Sequence, residues 1–394
     1  MRPDDRAEVV VVGAGPGGLL TALDLAREGR DVVLVDRKHR VGAPVRCAEG
    51  VGREALQRYV ALRSRWISAT IRAVRLYAPN GDYVHLGRHM DGLVLDRTAF
   101  EEDLARQAVA AGARILLDTC ASGLLLGPSA VEGVFLERHG HPRRVVCRLV
   151  IAADGIESRM ARCAGIDTAL ALKDVETCAQ YLLEDIDIDE TRCDFFFGRQ
   201  VAPGGYAWVF PKGPRRANVG VGISGSEAVR CSPKELLDRF VEEHYPRGRR
   251  AHFVAGGVPV SRSLKKPYAS GLLVVGDAAR QANPLSGGGI ISALEAGRLA
   301  ARAAEEALSE GDVSEASLSR YQAAWKKSLG RAHNRYYRLK ETVSRLPDKT
   351  LEVTARTLRD VDPEHLTLFR VFATALRRHP RLILDARYLF LSSA

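Results

Sequence analysis

Val9-Val10-Val11-Val12-Gly13-Ala14-Gly15-Pro16-Gly17-Gly18 reads as a buried strand entering a tight turn, and the apolar spacing Leu19, Leu20, Leu23, Ala26 behind it is that of a helix. Glycine at 13 permits the turn, glycine at 15 lets backbone approach a pyrophosphate, and glycine at 18 lets helix and strand pack closely, with the helix N-terminus toward the anion. Val32–Val35 reads as the next strand and ends at Asp36, where an acid can take the two hydroxyls of an adenosine ribose. Arg37 follows directly and joins Gly13, Gly15, Gly17, Gly18 and Asp36 as a candidate cofactor residue. A glycine triplet alone is a weak signal, but strand, turn, helix, strand and terminal acid in this order specify a dinucleotide site.

Two further strands end in an acid beside glycine: Val150 to Asp154-Gly155, and Leu272 to Gly276-Asp277. Either pair alone reads as an ordinary turn. In this order they resemble the later FAD motifs of the flavoprotein family that includes aromatic hydroxylases and geranylgeranyl reductases. The resemblance implies FAD as cofactor, Asp154 as part of its site, and Asp277 on the ribityl chain. Gly287-Gly288-Gly289-Ile290 then opens a helix expected from Ile291 to Leu308, whose free N–H groups and positive dipole end suit the N1–C2=O edge of a flavin.

Gly204-Gly205-Tyr206-Ala207-Trp208-Val209-Phe210-Pro211, followed by Gly220-Val221-Gly222, resembles the YxWxFP…GxG signature of geranylgeranyl reductases. On a strand Tyr206, Trp208 and Phe210 share one face, and such an aromatic wall suits an isoprenoid chain, which has almost no hydrogen-bonding handles. Read without that resemblance, the three aromatics are equally a core stripe. Ala43-Pro44-Val45-Arg46-Cys47-Ala48-Glu49-Gly50-Val51 is similar to the segment after the second strand in archaeal-type geranylgeranyl reductases, where a cysteine sits near the flavin. By that resemblance Cys47, Ala48 and Gly50 line the FAD, together with Gly17, Asp36, Arg97, Ala121, Asp277, Gly289 and Ile290. Cys47 could orient the ring, relay a proton or sense redox state; by itself it reads as a buried small hydrophobe. The resemblance covers residues 8 to 310.

The 394 residues can bury a substantial core, and 46% hydrophobic content is ordinary for a soluble protein. No apolar run approaches the roughly 18 residues needed to span a bilayer. The acidic start Asp4, Asp5, Glu8 leads straight into the first strand, so no signal peptide is expected, and a cytoplasmic location follows. Seven cysteines, at 47, 120, 147, 163, 178, 193 and 231, have no metal-ligand spacing and read as reduced thiols; no metal is expected. The net charge of +10 suits an anionic partner. No zinc knuckle or basic block with interleaved aromatics points to nucleic acid. A loose peripheral contact with the inner face of an anionic membrane is one reading of the charge, arginine scattered over solvated faces for simple solubility the other, with Leu376 to Leu384 either touching the membrane or packing as a terminal helix.

The expected architecture is α/β plus α+β, a Rossmann-type FAD-binding domain interleaved with an antiparallel-sheet substrate domain and followed by C-terminal helices. The FAD-binding part is assigned to residues 1–70, 92–165 and 266–312, the substrate part to 71–91 and 166–265, and the helices to 313–394. Asn80-Gly81 marks a hairpin in the substrate sheet, and Pro233 to His244 an inserted helix. The implied activity is saturation of C=C bonds in a geranylgeranyl chain carried on a diphosphate, glycerolipid or quinone. Hydride would come from flavin N5 and the proton from Cys47, Tyr206 or water. NAD(P)H or a ferredoxin would reduce the flavin, since no second dinucleotide fingerprint is present. Alternatives are a class A aromatic or polyketide monooxygenase, which shares the FAD motifs, and a non-catalytic flavin- or lipid-binding protein. A flavin halogenase shares part of the aromatic pattern but has a lysine-bearing segment absent here.

Overall fold

The computed structural model describes residues 5–87, 90–363, 366 and 368–377. It contains two compact units, each assembled from several stretches of chain.

The first takes residues up to 45, 97–170 and 261–334. Its centre is a six-stranded sheet in the order Tyr268–Ala269, Leu272–Val274, Leu149–Ala152, Val9–Val12, Val32–Val35, Arg114–Leu116, parallel except at the Tyr268–Ala269 edge. Val9 to Val12, Val32 to Val35 and Leu149 to Ala152 are buried along their whole length, as expected for parallel strands covered on both faces. Val10, Val12, Val33 and Val35 share a core with Leu124, Val134, Leu136 and Val145 of a four-stranded sheet built from Asp5–Arg6, Thr119–Leu126, Val131–Arg138 and His141–Val146. Each such aliphatic side chain contributes about 1.5–3 kcal/mol by leaving water. Helices Pro16–Arg27, Arg97–Ala110 and Ile290–Glu310 complete the unit.

The second unit takes 46–96, 171–260 and the chain from 335 on. A seven-stranded sheet runs Arg249–Pro259, Val175–Glu184, Arg216–Ser224, Tyr206–Pro211, Arg192–Phe196, Ala73–Tyr77, Tyr83–Leu86. Every pairing is antiparallel except that of Arg192–Phe196 with Ala73–Tyr77. The Asn80-Gly81 turn joins the last two strands as expected. Ala179, Tyr181, Ala207, Val209, Val219 and Val221 pack against Leu236, Leu237, Phe240 and Val241 of helix Pro233–His244. Strand alternation therefore turns Glu176, Cys178, Gln180, Asn218, Gly220, Gly222, Tyr206, Trp208 and Phe210 to the opposite face. A smaller sheet pairs Gly92–Leu95 with Gly50–Gly52 and Ile67–Ile71.

The units divide the chain differently from the sequence reading. Residues 46–70 lie in the second unit because their strands pair with Gly92–Leu95. Residues 313–334 lie in the first, where the Tyr321 hydroxyl meets Gln281 and Trp325 donates to Ser263 at 3.3 Å. Residues from 335 join the second: Lys340 donates to the carbonyls of Lys173 and Val260, each at 3.0 Å. The expected helix from Ile291 to Leu308 spans Ile290–Glu310. The tail segment weighed as a membrane contact lies, from 378 on, outside the described residues. Among the described residues no helix is long and apolar enough to cross a membrane.

Helices Pro16–Arg27 and Ile290–Glu310 cross in close contact because both carry glycine there. A Cβ on Gly297 would overlap the Gly17 carbonyl oxygen, and Thr21 Oγ1 donates to the carbonyls of Gly17 at 2.8 Å and Gly297 at 3.0 Å. Gly297→Ala should therefore cost about 1–3 kcal/mol in chemical denaturation. An unchanged midpoint would contradict the crossing.

Candidate functional site

In the first unit the glycine turn has the geometry its sequence implies. Gly13 has φ +110°, and a Cβ there would overlap the Ala153 carbonyl. A Cβ on Gly18 would overlap the Gly13 carbonyl. Gly15 faces open space, with nothing within 4 Å of a Cβ position. Gly17, read as a cofactor-lining residue, has its Cβ position 3.0 Å from the Ala293 carbonyl oxygen, so its bareness serves helix packing.

Asp36 ends its strand with both carboxylate oxygens engaged: Oδ2 accepts from Ala14 N–H at 2.7 Å and Oδ1 from Lys38 N–H at 2.8 Å. Each oxygen keeps a lone pair that a ribose hydroxyl can use. The Thr119 N–H bonds the Asp36 carbonyl at 2.9 Å, which brings the strand bearing Ala121 beside this turn. Arg37 is held in a bidentate pair with Glu157 at 2.8 and 3.1 Å, and Arg97 is paired with Glu101.

Asp154 accepts from Met160 N–H at 3.0 Å through Oδ2, while its Oδ1 is buried without a hydrogen-bond partner among the described residues. Burial raises the pKa of Asp154, and it raises that of Asp277 against the opposing charge of Arg97. The Cβ position of Gly289 is 3.3 Å from Asp277 Oδ1, and Gly289 caps the helix that begins at buried Ile290. Asn283 Oδ1 accepts from Leu285 N–H at 2.9 Å, and Gly288 N–H donates to Ser286 Oγ at 3.3 Å, so the loop before that helix is ordered by its own contacts. An open bare glycine, an acid at the second strand end, and buried acids beside a helix N-terminus are the set an adenine dinucleotide with a flavin requires. The residues fit FAD.

In the second unit Trp208 governs the geometry. A Cβ on Gly220 would overlap its indole, and one on Gly222 would lie 3.5 Å from Cζ3 and 3.1 Å from Cys178 Sγ. The GxG pair thus makes room for the tryptophan to lie across the neighbouring strand. Trp208 Nε1–H donates to Gln180 Oε1 at 3.1 Å, and Gln180 Nε2 donates to the Cys47 carbonyl at 3.1 Å. Tyr206 and Phe210 flank it, each with Phe195 between them at ring distances of 5.4 and 5.3 Å. The Cβ position of Gly50 is 2.7 Å from Phe210 Cε2, so Gly50 is bare where that ring packs.

The Cys47 loop is clamped along this face. Asn218 Nδ2 donates to the Ala48 carbonyl at 3.3 Å and to Glu49 Oε2 at 2.7 Å. Lys212 Nζ pairs with Glu49 Oε2 at 2.8 Å and donates to the Leu95 carbonyl at 2.8 Å. Cys47 Sγ accepts from Glu49 N–H at 3.2 Å. Glu49, Gln180, Lys212 and Asn218 carry this arrangement, and sequence reasoning missed them. The available signal was polar residues at alternate positions of an otherwise apolar strand, Glu176, Cys178 and Gln180.

Glu176 Oε2 is buried without a hydrogen-bond partner among the described residues, and desolvation pushes its pKa up to about 8, with Lys340 acting weakly against the shift. Burial also pushes up the Cys178 thiol and the Tyr206 hydroxyl, whose neighbours Cys178, Glu176 and Cys47 add to the effect. Among the described residues no group of three or more His, Cys, Asp or Glu side chains could hold a metal ion.

Residues 174–258 match the geranylgeranyl reductase catalytic domain family, and 11–64 an NAD(P)-binding Rossmann-like domain. Digeranylgeranylglycerophospholipid reductase of Methanocella arvoryzae is 43% identical, with 95% of this chain and 97% of the relative covered. The protein of that name from Methanosarcina acetivorans is 41% identical over 99% of this chain and 98% of the relative. A geranylgeranyl bacteriochlorophyll reductase-like structure from Thermoplasma acidophilum superposes with a TM-score of 0.92 at 32% identity, covering 98% of this chain and 99% of that one. A flavin-dependent brominase superposes at a TM-score of 0.73 with 15% identity, covering 95% of this chain and 100% of that one, which is a likeness of fold alone.

Lys212→Met should destabilise the protein by about 3 kcal/mol, because it leaves the Glu49 carboxylate buried without its cation, and amides 47–50 should exchange faster. The double variant with Glu49→Gln should recover most of the loss; equal stability of the single variant and wild type would contradict the clamp. A second expectation concerns pH. Between the ordinary glutamate value of 4.5 and about 8 the folded protein keeps a proton on Glu176 that the unfolded chain has released, so this group's stability contribution declines as pH rises through that window. Glu176→Gln should gain a few degrees in Tm relative to wild type between pH 5 and 8 and hold that gain above it. Parallel pH–Tm curves would rule out a raised Glu176.

Proposed function

We infer the function from a single premise: this chain belongs to the geranylgeranyl reductase family. It is accordingly an oxidoreductase acting on CH–CH groups, with a flavin as its cofactor. Its substrate is taken to be a glycerophospholipid bearing geranylgeranyl chains, the class that the full-length relatives are named for. The observation that carries this reading is the Trp208 indole laid over Gly220 between Tyr206 and Phe210, an aromatic face that offers dispersion contacts to a methyl-branched chain and few polar groups.

In this reading the turn at Gly13–Gly18, Asp36, Asp154, Asp277 and the helix start at Gly289 and Ile290 hold FAD. When bound, the flavin supplies the hydride that an isolated alkene requires. Tyr206, Trp208 and Phe210 orient the chain and exclude water from it. Gln180 and Asn218 fix the backbone of Cys47 and Ala48, so Cys47 presents its thiol from a rigid loop. The external donor is NAD(P)H or a ferredoxin-like protein.

The test is anaerobic. Protein reduced with dithionite and mixed with geranylgeranylated glycerophospholipid should reoxidise and yield lipid heavier by two hydrogens for each bond saturated. Trp208→Leu should lower kcat/KM for the lipid by about 10–100-fold at unchanged flavin content, a loss of roughly 1.4–2.8 kcal/mol of transition-state binding. Flavin that stays reduced with the lipid but reoxidises in oxygen to hydroxylate an aromatic would replace this reading with a monooxygenase.

A further inference from the structure

Protonation of an alkene carbon needs an acid that keeps its proton at neutral pH, stands beside the chain, and is not already spent on another partner. Glu176 meets these conditions. It lies on strand Val175–Glu184, on the same face as Cys178 and Gln180, two residues along from the Cys178–Gly222–Tyr206 row. Two glycines make room beside it: a Cβ on Gly205 would lie 2.9 Å from Glu176 Oε2, and one on Gly222 would lie 3.7 Å away. Ser224 pairs directly across from Glu176, and the bare Gly205 and Gly222 leave its carboxyl room on the side of the aromatic strand.

An unpaired buried carboxyl oxygen is costly, and a fold that keeps one has a use for it. Structural duty does not account for it. Lys340, the cation acting on Glu176 from helix Arg331–Val343, is committed to the carbonyls of Lys173 and Val260 and to Asp174 Oδ1 at 3.2 Å. Besides the Glu49–Lys212 pair, titratable groups on this face include Cys178, Tyr206 and, from its loop, Cys47. Burial raises Glu176 to about 8, and it raises Cys178 and Tyr206 from starting values that are already higher, so Glu176 is the stronger acid of the three.

We propose that Glu176 is the proton donor in the reduction of the prenyl double bond. The role rests on the reductase reading above. The Glu176 O–H bond breaks, and the proton joins one alkene carbon through the π electron pair. The balancing hydride, with its two electrons, would be supplied to the other carbon by the reduced flavin when bound. The Glu176 carboxylate left behind takes a proton from water after the product leaves, so each saturated bond consumes one hydride and one proton.

The experiment compares wild type, Glu176→Gln and Glu176→Asp as flavin-loaded proteins. Anaerobic single-turnover reoxidation by geranylgeranylated glycerophospholipid is followed together with lipid Kd, flavin content and the infrared carbonyl band of a protonated carboxylic acid. Glu176→Gln should slow lipid-driven reoxidation about 100-fold or more while flavin content and lipid Kd stay within about twofold. Glu176→Asp should recover part of the rate. In the wild-type minus Glu176→Gln difference spectrum the infrared band should be present at pH 7 and vanish through about 8 together with the rate. A Glu176→Gln rate within about threefold of wild type, or no such band at pH 7, overturns the assignment while leaving the reductase intact. A wild type that reduces no prenyl lipid overturns the reductase reading itself, and the donor role with it.

Discussion

The second unit depends on one close approach, an indole ring laid against the bare backbone of the neighbouring strand. Trp208 can lie over strand Arg216–Ser224 only because Gly220 and Gly222 carry no side chains. From there its N–H reaches Gln180 on the next strand, and Gln180 reaches the Cys47 carbonyl. Two strands and a loop are thus tied by two hydrogen bonds across the strand that lies between them. A buried amide satisfied at both ends is rigid, because leaving either end unpaired costs more than the bond itself returns. The lysine–glutamate pair of Lys212 and Glu49 secures the other end of the loop. The result is a largely apolar wall whose amides and ion pair are consumed internally, with the buried Glu176 carboxyl on the same face, which is what the reduction of a lipid chain requires of a protein surface.

The first unit answers a different demand, since the FAD proposed for it is charged and extended. Its strands end in acids and its helices begin in glycines, so backbone N–H groups and carboxylates converge at the strand ends. The fold subordinates everything else to that convergence. Valine-rich parallel strands are buried on both sides, and helix Pro16–Arg27 is pressed onto Ile290–Glu310 through Gly17 and Gly297.

What was legible in the sequence was local. The turn at Gly13–Gly18, the acid at Asp36, the hairpin at Asn80-Gly81 and the helix at Pro233–His244 are each specified by residues a few positions apart, and each is found where the pattern places it. The aromatic triplet was legible too, since alternation alone turns Tyr206, Trp208 and Phe210 to one side. Contacts that exist only after distant strands pair were not legible. Gly17 reads as part of a phosphate turn, yet its neighbour is a helix far along the chain. Gln180, Asn218, Lys212 and Glu49 belong to no motif, and become a clamp only through the register of the seven-stranded sheet. Beyond 335 the sequence shows helical spacing but no motif that says where the helices pack; in the second unit Lys340 is seated on the Val260 carbonyl and Phe372 near Phe197.

The central claim is that the Tyr206, Trp208, Phe210 face of the seven-stranded sheet is where the prenyl chain lies. The measurement that bears on it most directly is a crystal structure of the flavin-loaded protein with a geranylgeranylated glycerophospholipid. Continuous chain density against Trp208 and Tyr206, with a double bond beside them, is the result expected. Density on any other surface, with the indole still seated over Gly220 and its face bare, would contradict it.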